Sequence, residues 1–156
     1  METKENKIVY IFSVILEFEG VRGVKKSLKV LMLITDIGFL LYWMITFLGL
    51  LPKEMLYKDY TNEIAVAWNM SFIPLDILIS VTGLTSILLY RRGERLWAPF
   101  CIVSLSLTFC SGLQAIAFWA IRGDFDIGWW IPNLFLLLYP LFYLPGLMKS
   151  EKPSLF

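Results

Sequence analysis

Four stretches of the chain are apolar almost without interruption, and short clusters of charge separate them. Between Lys29 and Lys53 the only formal charge is Asp36, and between Glu63 and Arg91 it is Asp76. Between Arg95 and Arg122 there is none, and between Asp126 and Lys149 there is none. Each gap holds the ~20 apolar residues that cross a ~30 Å hydrocarbon layer as a helix. The pattern predicts spans near 28–51, 66–90, 96–121 and 127–147. A soluble bundle would carry a charged face on each helix, and membrane strands would alternate apolar with polar positions. Neither pattern is present. The connections are short, so consecutive spans must be antiparallel neighbours. The expected fold is all-α: an integral membrane four-helix up-down antiparallel bundle. Residues 25–148 form its membrane domain, 1–24 an N-terminal extension and 149–156 a cytoplasmic tail.

Composition agrees. Of 156 residues 58% are hydrophobic and 17% charged, against about 45–50% and about 25% for an ordinary soluble domain. The net charge of +1 excludes a strongly basic nucleic-acid binder. The expected partners are the lipid bilayer and either a second copy of the chain, as a homo-oligomer, or another membrane protein. No nucleic acid and no cofactor are expected.

Lysine and arginine set the orientation, because cytoplasmic flanks carry the excess. The N-terminal flank, the loop at Arg91–Arg95 and the tail at Lys149 and Lys152 hold eleven; Lys53, Lys58 and Arg122 make three on the other side. Both termini are therefore expected in the cytoplasm. Trp68, Trp119, Trp129 and Trp130 then cluster at the outer interface and Trp97 at the inner one, the depths that an apolar ring with a polar N–H prefers.

Residues 8–16 are apolar but too few to span, and Glu17 and Glu19 stand where a signal-peptide cleavage site would need small residues. An interfacial helix is an alternative, though the polar face is not basic. A third is that 1–23 are not natively translated. Glu19-Gly20-Val21 can be encoded by a purine-rich, ribosome-binding-like stretch, with Val24 as a GTG start. An N-terminal peptide containing Ile8 in the native protein would end that idea.

Histidine is absent, which removes the commonest general base and zinc ligand. Cys101 and Cys110 are nine apart on one span, on opposite faces, and can neither bridge nor share a metal. No phosphate loop or nucleophile elbow is present. Asp124 and Asp126 resemble a cation pair but read better as a solvated turn, since hard cations need more oxygens. No metal site, no catalytic residues and no enzyme are expected.

Asp36 and Asp76 carry the information. A carboxylate inside a span costs about 2.5–3.5 kcal/mol on insertion scales and usually faces the bundle interior. In the second span Asn69, Asp76, Ser80 and Gly83 recur at spacings of seven, four and three, one stripe of a helix. Cys101, Ser104, Thr108, Ser111 and Ala115 form a matching small stripe in the third. The fourth carries Asn133 and the prolines Pro132, Pro140 and Pro145, each expected to free a carbonyl and bend the helix. With a rise of ~1.5 Å per residue, Asp76, Asn133 and Tyr42 fall at one level, ~21 Å from the inner end. Asp36 falls ~9 Å lower, near Thr82, Ser104 and Tyr139, so the two aspartates should not share a proton directly. A polar ladder through water and hydroxyls is expected instead. The candidate ligand- or proton-binding residues are Asp36, Asp76, Asn69, Asn133, Tyr42 and Ser80. Two readings are open: a functional site, or anchors that fix helix register. An interhelical bond brings roughly 0.6 kcal/mol, less than the insertion cost, which tilts the balance toward function.

Several segments carry a resemblance. Residues 29–39 (KVLMLITDIGF), Tyr42-Trp43, Tyr57-Lys58-Asp59-Tyr60, residues 67–76 (AWNMSFIPLD), Ile79-Ser80 and Thr82-Gly83 resemble the YvaD-like family, small four-span proteins of Bacillus and relatives. The resemblance runs from about Val24 to Leu147 and is most specific over 68–76. It implies a bacterial plasma-membrane location and no particular activity, and it places both aspartates in signature segments. The expected function is a ligand-, lipid- or partner-binding membrane module with a polar intramembrane site. The alternative is a small proton- or cation-coupled transporter using Asp36 and Asp76.

Overall fold

The computed structural model describes the backbone of residues 4–56 and 58–150, and the side chains of 26–56 and 58–149. The order is α1 (Lys4–Leu48), α2 (Lys53–Leu56), α3 (Glu63–Met70), α4 (Ile73–Arg92), α5 (Trp97–Ile121) and α6 (Ile127–Ser150), with no strand among the described residues. Four segments are long and apolar enough to cross a membrane: Lys26–Leu48, Glu63–Arg92, Trp97–Ile121 and Ile127–Lys149. The chain is an all-helical, multi-pass membrane protein. Its outer surface fits that solvent, with Ile34, Phe47, Leu88 and Phe142 among many large apolar side chains left exposed.

Chain neighbours pack as spatial neighbours: α1 on α4, α4 on α5 and α5 on α6. Small residues permit the approach. A Cβ at Gly112 of α5 would lie 2.5 Å from the backbone nitrogen of Leu137 and 2.8 Å from the carbonyl oxygen of Asn133, so only glycine lets α5 and α6 meet there. The stripe Cys101, Ser104, Thr108, Ser111 and Ala115 is buried throughout. Hydroxyls bond across the joints. Ser86 Oγ donates to the carbonyl of Trp97 at 2.8 Å, and Ser104 Oγ to that of Ile79 at 3.3 Å. Gly93 turns the chain from α4 to α5 at φ 72°, a left-handed conformation that glycine adopts without strain.

The second span departs from the continuous helix expected over 66–90. It is two helices, α3 and α4, interrupted at Ser71-Phe72. Pro74 has no N–H, so it cannot continue the ladder back to Met70. Ser71 closes α3, its N–H turning back to the carbonyls of Ala67 and Trp68 and its Oγ donating to Trp68 at 2.6 Å. In the fourth span the three prolines lie within α6, which runs unbroken from Ile127 to Ser150. The first span, Lys26–Leu48, is the last part of a longer helix, because residues 4–25 continue into it without a break. The side chains of the apolar run 8–16, the start-site question and most of the 149–156 tail lie outside the described residues.

The two ends of the bundle are filled differently. At the end of the single α4–α5 connection, Leu28, Met32, Ile87, Cys101, Leu105, Tyr139 and Leu147 from all four spans form a packed core. At the end with two connections, α1 to α3 and α5 to α6, a smaller cluster of Trp43, Phe72 and Ala115 surrounds open space.

Candidate binding site

That space is a cavity of about 290 Å³. Phe39, Tyr42 and Trp43 of α1 line one side, and Ala65, Trp68 and Asn69 of α3 another. Phe72 and Asp76 enter at the break in the second span. Ser111, Ala115 and Trp119 of α5 face Trp129, Pro132, Asn133 and Leu136 of α6, and Lys58 stands at the rim. The residues fit the positions. Small side chains on α5 leave the volume open, and rings from the other spans wall it.

Asp76 is the acidic group of the cavity. It is only 4% exposed. Trp43 Nε1 donates to its Oδ2 at 2.9 Å and Ser111 Oγ to its Oδ1 at 3.4 Å. Neither donor carries a charge. The break at Ser71-Phe72 places Asp76 in the first turn of α4, where the helix dipole favours negative charge. A residue in mid-span by sequence thus has helix-terminus electrostatics.

Three other sequence candidates join it. Tyr42 donates from its hydroxyl to the carbonyl of Leu56 at 2.9 Å and accepts from Asn69 Nδ2 at 3.4 Å. The first link ties α1 to the one-turn helix α2, and the second ties α1 to α3. Asn133 donates to the carbonyl of Trp129 one turn back, at 2.7 Å, and lines the opposite wall. Asp76, Asn69, Tyr42 and Asn133 therefore share one space.

Asp36 and Ser80 lie beneath it, off the cavity wall. Ser80 Oγ is placed to donate to the carbonyl of Asp76 at 2.8 Å and to that of Asp36 at 3.1 Å. Its one proton serves one of them at a time. The Asp36 carboxyl lies flat against α4, where a Cβ added to Gly83 would overlap it. It is 1% exposed, and neither of its oxygens has a hydrogen-bond partner among the described residues. Gly83 is seven residues beyond Asp76 along α4, or about 10 Å. The two carboxyls thus occupy separate levels, linked through backbone carbonyls and one hydroxyl.

Among the described residues, three ion pairs join the loops at the rim. Lys58 Nζ lies 2.6 Å from Asp124 and 3.7 Å from Asp126, and Arg122 lies 2.6 Å from Asp59. The adjacent Lys58 and Asp59 thus meet opposite charges in the far loop. The hydrogen bond to Lys58 holds Asp124 below its ordinary 3.8, and the same bond raises Lys58 above its ordinary 10.5. The acidic turn at Asp124 and Asp126, expected to be merely solvated, has a lysine as its cation. Both bases also lie over rings: Lys58 Nζ is 5.8 Å from the Trp119 centroid, and the Arg122 guanidinium 5.4 Å from it.

Sequence reasoning missed Trp43, Ser111 and Lys58 as parts of this site. Ser111 belonged to the small stripe. Trp43 could have been found from its place seven residues after Asp36, on the same face of the first span. Nothing local marks Lys58, whose partner is 66 residues away.

Comparison with other proteins fits the sequence resemblance. Residues 28–154 match the Family of unknown function (DUF5360). The chain is 48% identical over 127 residues to the uncharacterized protein YvaD of Bacillus subtilis (strain 168), covering 81% of this chain and 96% of that one. No solved structure matches.

Proposed function

Because the chain belongs to the Family of unknown function (DUF5360), we propose its role from its geometry: a membrane binding module that holds a small molecule or lipid group in the cavity, with Asp76 as the polar anchor. The observation that carries this reading is a 290 Å³ space walled by rings and small residues around one buried carboxylate. Binding sites are commonly concave, mostly apolar and furnished with a few convergent polar groups. The eleven-to-three partition of lysine and arginine supports a plasma-membrane orientation with both termini cytoplasmic and the cavity toward the outer face. Native mass spectrometry of protein extracted in mild detergent tests the binding role. The expected result is a small-molecule adduct on the wild type that is lost when Ala115→Phe fills the cavity. A wild-type chain that stays bare after incubation with its own membrane lipid extract would remove the reading.

A second reading, proton- or cation-coupled transport, draws on Asp36. Its carboxyl is buried beneath the cavity without a hydrogen-bond partner among the described residues, and Ser80 stands between it and Asp76. Flux into liposomes that Asp36→Asn and Asp76→Asn each abolish is the expected result for a transporter. Unchanged flux in both variants removes this reading.

A further inference from the structure

We propose that the cavity takes an organic monocation, its ammonium head on the Asp76 carboxylate and its apolar body against the rings of Trp43, Trp68, Trp119 and Trp129; this rests on the binding role proposed above. Four observations carry it. First, the carboxylate is incompletely served. A carboxylate offers about four acceptor sites, and among the described residues Asp76 uses two, both on neutral donors. A negative charge this deep is expensive without an opposite charge beside it. The nearest base on the cavity wall, Lys58, is taken by Asp124 and Asp126.

Second, the walls suit a cation. The faces of indole rings attract ammonium and guanidinium groups within about 6 Å, most strongly where water is excluded. The rim already shows this, with Lys58 and Arg122 both over Trp119. Third, the mouth is acidic. Residues 49–65 and 122–126 carry five acids, Glu54, Asp59, Glu63, Asp124 and Asp126, against three bases. That excess raises the local concentration of cations and depletes anions. Fourth, size limits the guest. A space of 290 Å³ holds one ammonium group with a compact apolar substituent, and Asp76 balances one charge.

Equilibrium dialysis of the full chain in micelles, against protein-free micelles as the reference, tests the assignment. The probes are 2-phenylethylammonium, its uncharged carbon isostere propylbenzene, and the anion 3-phenylpropanoate. The ammonium should bind at least about tenfold more tightly than the isostere, and the anion no better than to empty micelles. Asp76→Asn should weaken the ammonium to within about twofold of the isostere while isostere binding persists, which also shows that the variant is folded. Trp129→Leu leaves the carboxylate in place and should weaken the ammonium about threefold or more. If the isostere binds as tightly as the ammonium, the cation assignment falls and the binding role stands. If none of the three binds and the wild type also carries no adduct in the mass spectrometer, both fall.

Discussion

The indole N–H of Trp43 donates to the carboxylate of Asp76 at 2.9 Å, bridging α1 and α4 inside the membrane domain. Both residues are buried, at 4% exposure each, on the wall of the cavity. Trp43→Phe keeps a ring and removes the donor. Leaving a buried acceptor without it costs about 1–3 kcal/mol. Thermal unfolding in mild detergent should show that loss in the wild-type background and a much smaller one in Asp76→Leu. Equal losses in both backgrounds would mean that the bond contributes nothing beyond packing.

The two aspartates should respond oppositely to truncation. Asp76 has two donors, and Asp76→Ala leaves Trp43 Nε1 and Ser111 Oγ without their acceptor. A loss of about 1–3 kcal/mol is expected. Among the described residues the Asp36 carboxyl has no hydrogen-bonding partner to leave behind, and its removal ends the burial of an unserved polar group. Asp36→Ala should unfold at the same temperature as the wild type or a higher one. A lower temperature would show that Asp36 has a stabilising partner in the membrane.

Close approach makes Gly112 intolerant. Gly112→Ala sets a methyl group against the α6 backbone at Leu137 and Asn133. Backbone yields less than a flexible side chain, and overpacking of this kind costs about 1–3 kcal/mol. Gly146, also helical, has nothing within 4 Å of an added Cβ. Gly146→Ala should therefore be neutral, or stabilising by roughly 0.5–1 kcal/mol. Similar melting shifts in the two variants would contradict this crossing of α5 and α6.

The loop ion pairs carry a definite pH sign. Asp124 is held below 3.8, so its contribution is complete above that value and fades as pH falls through the lowered one. Lys58 is held above 10.5, so its contribution is complete below that value and fades as pH rises through the raised one. The stability difference between wild type and Asp124→Asn should be flat between about pH 5 and 9, shrink in stronger acid, and diminish with salt. A difference that changed sign or slope near neutrality would exclude this pair as its source.

The polar interior was legible because lipid punishes polar groups. Asn69, Asp76, Ser80 and Gly83 on one stripe have few explanations besides an inward face, and Asp76, Ser80 and Gly83 are buried with Asn69 half-buried. The offset of the two aspartates followed from helix rise alone. The break at Ser71-Phe72 was not legible, because one proline can end, bend or be absorbed by a helix. Pro140 is absorbed within α6 while Pro74 starts α4. Trp43 entered only through the segment Tyr42-Trp43 that carries the resemblance, and its role depends on a partner 33 residues away. The ion pairs between the loops have no periodicity to betray them.

One end of the molecule is closely packed, with a space of only about 30 Å³, and the other is hollow. Hydrostatic compression acts on empty volume, because close-packed interiors yield little. Squeezed, the protein should shrink from the Ala115 side while Leu105 and its neighbours hold their spacing, an elastic asymmetry built into a single four-span chain.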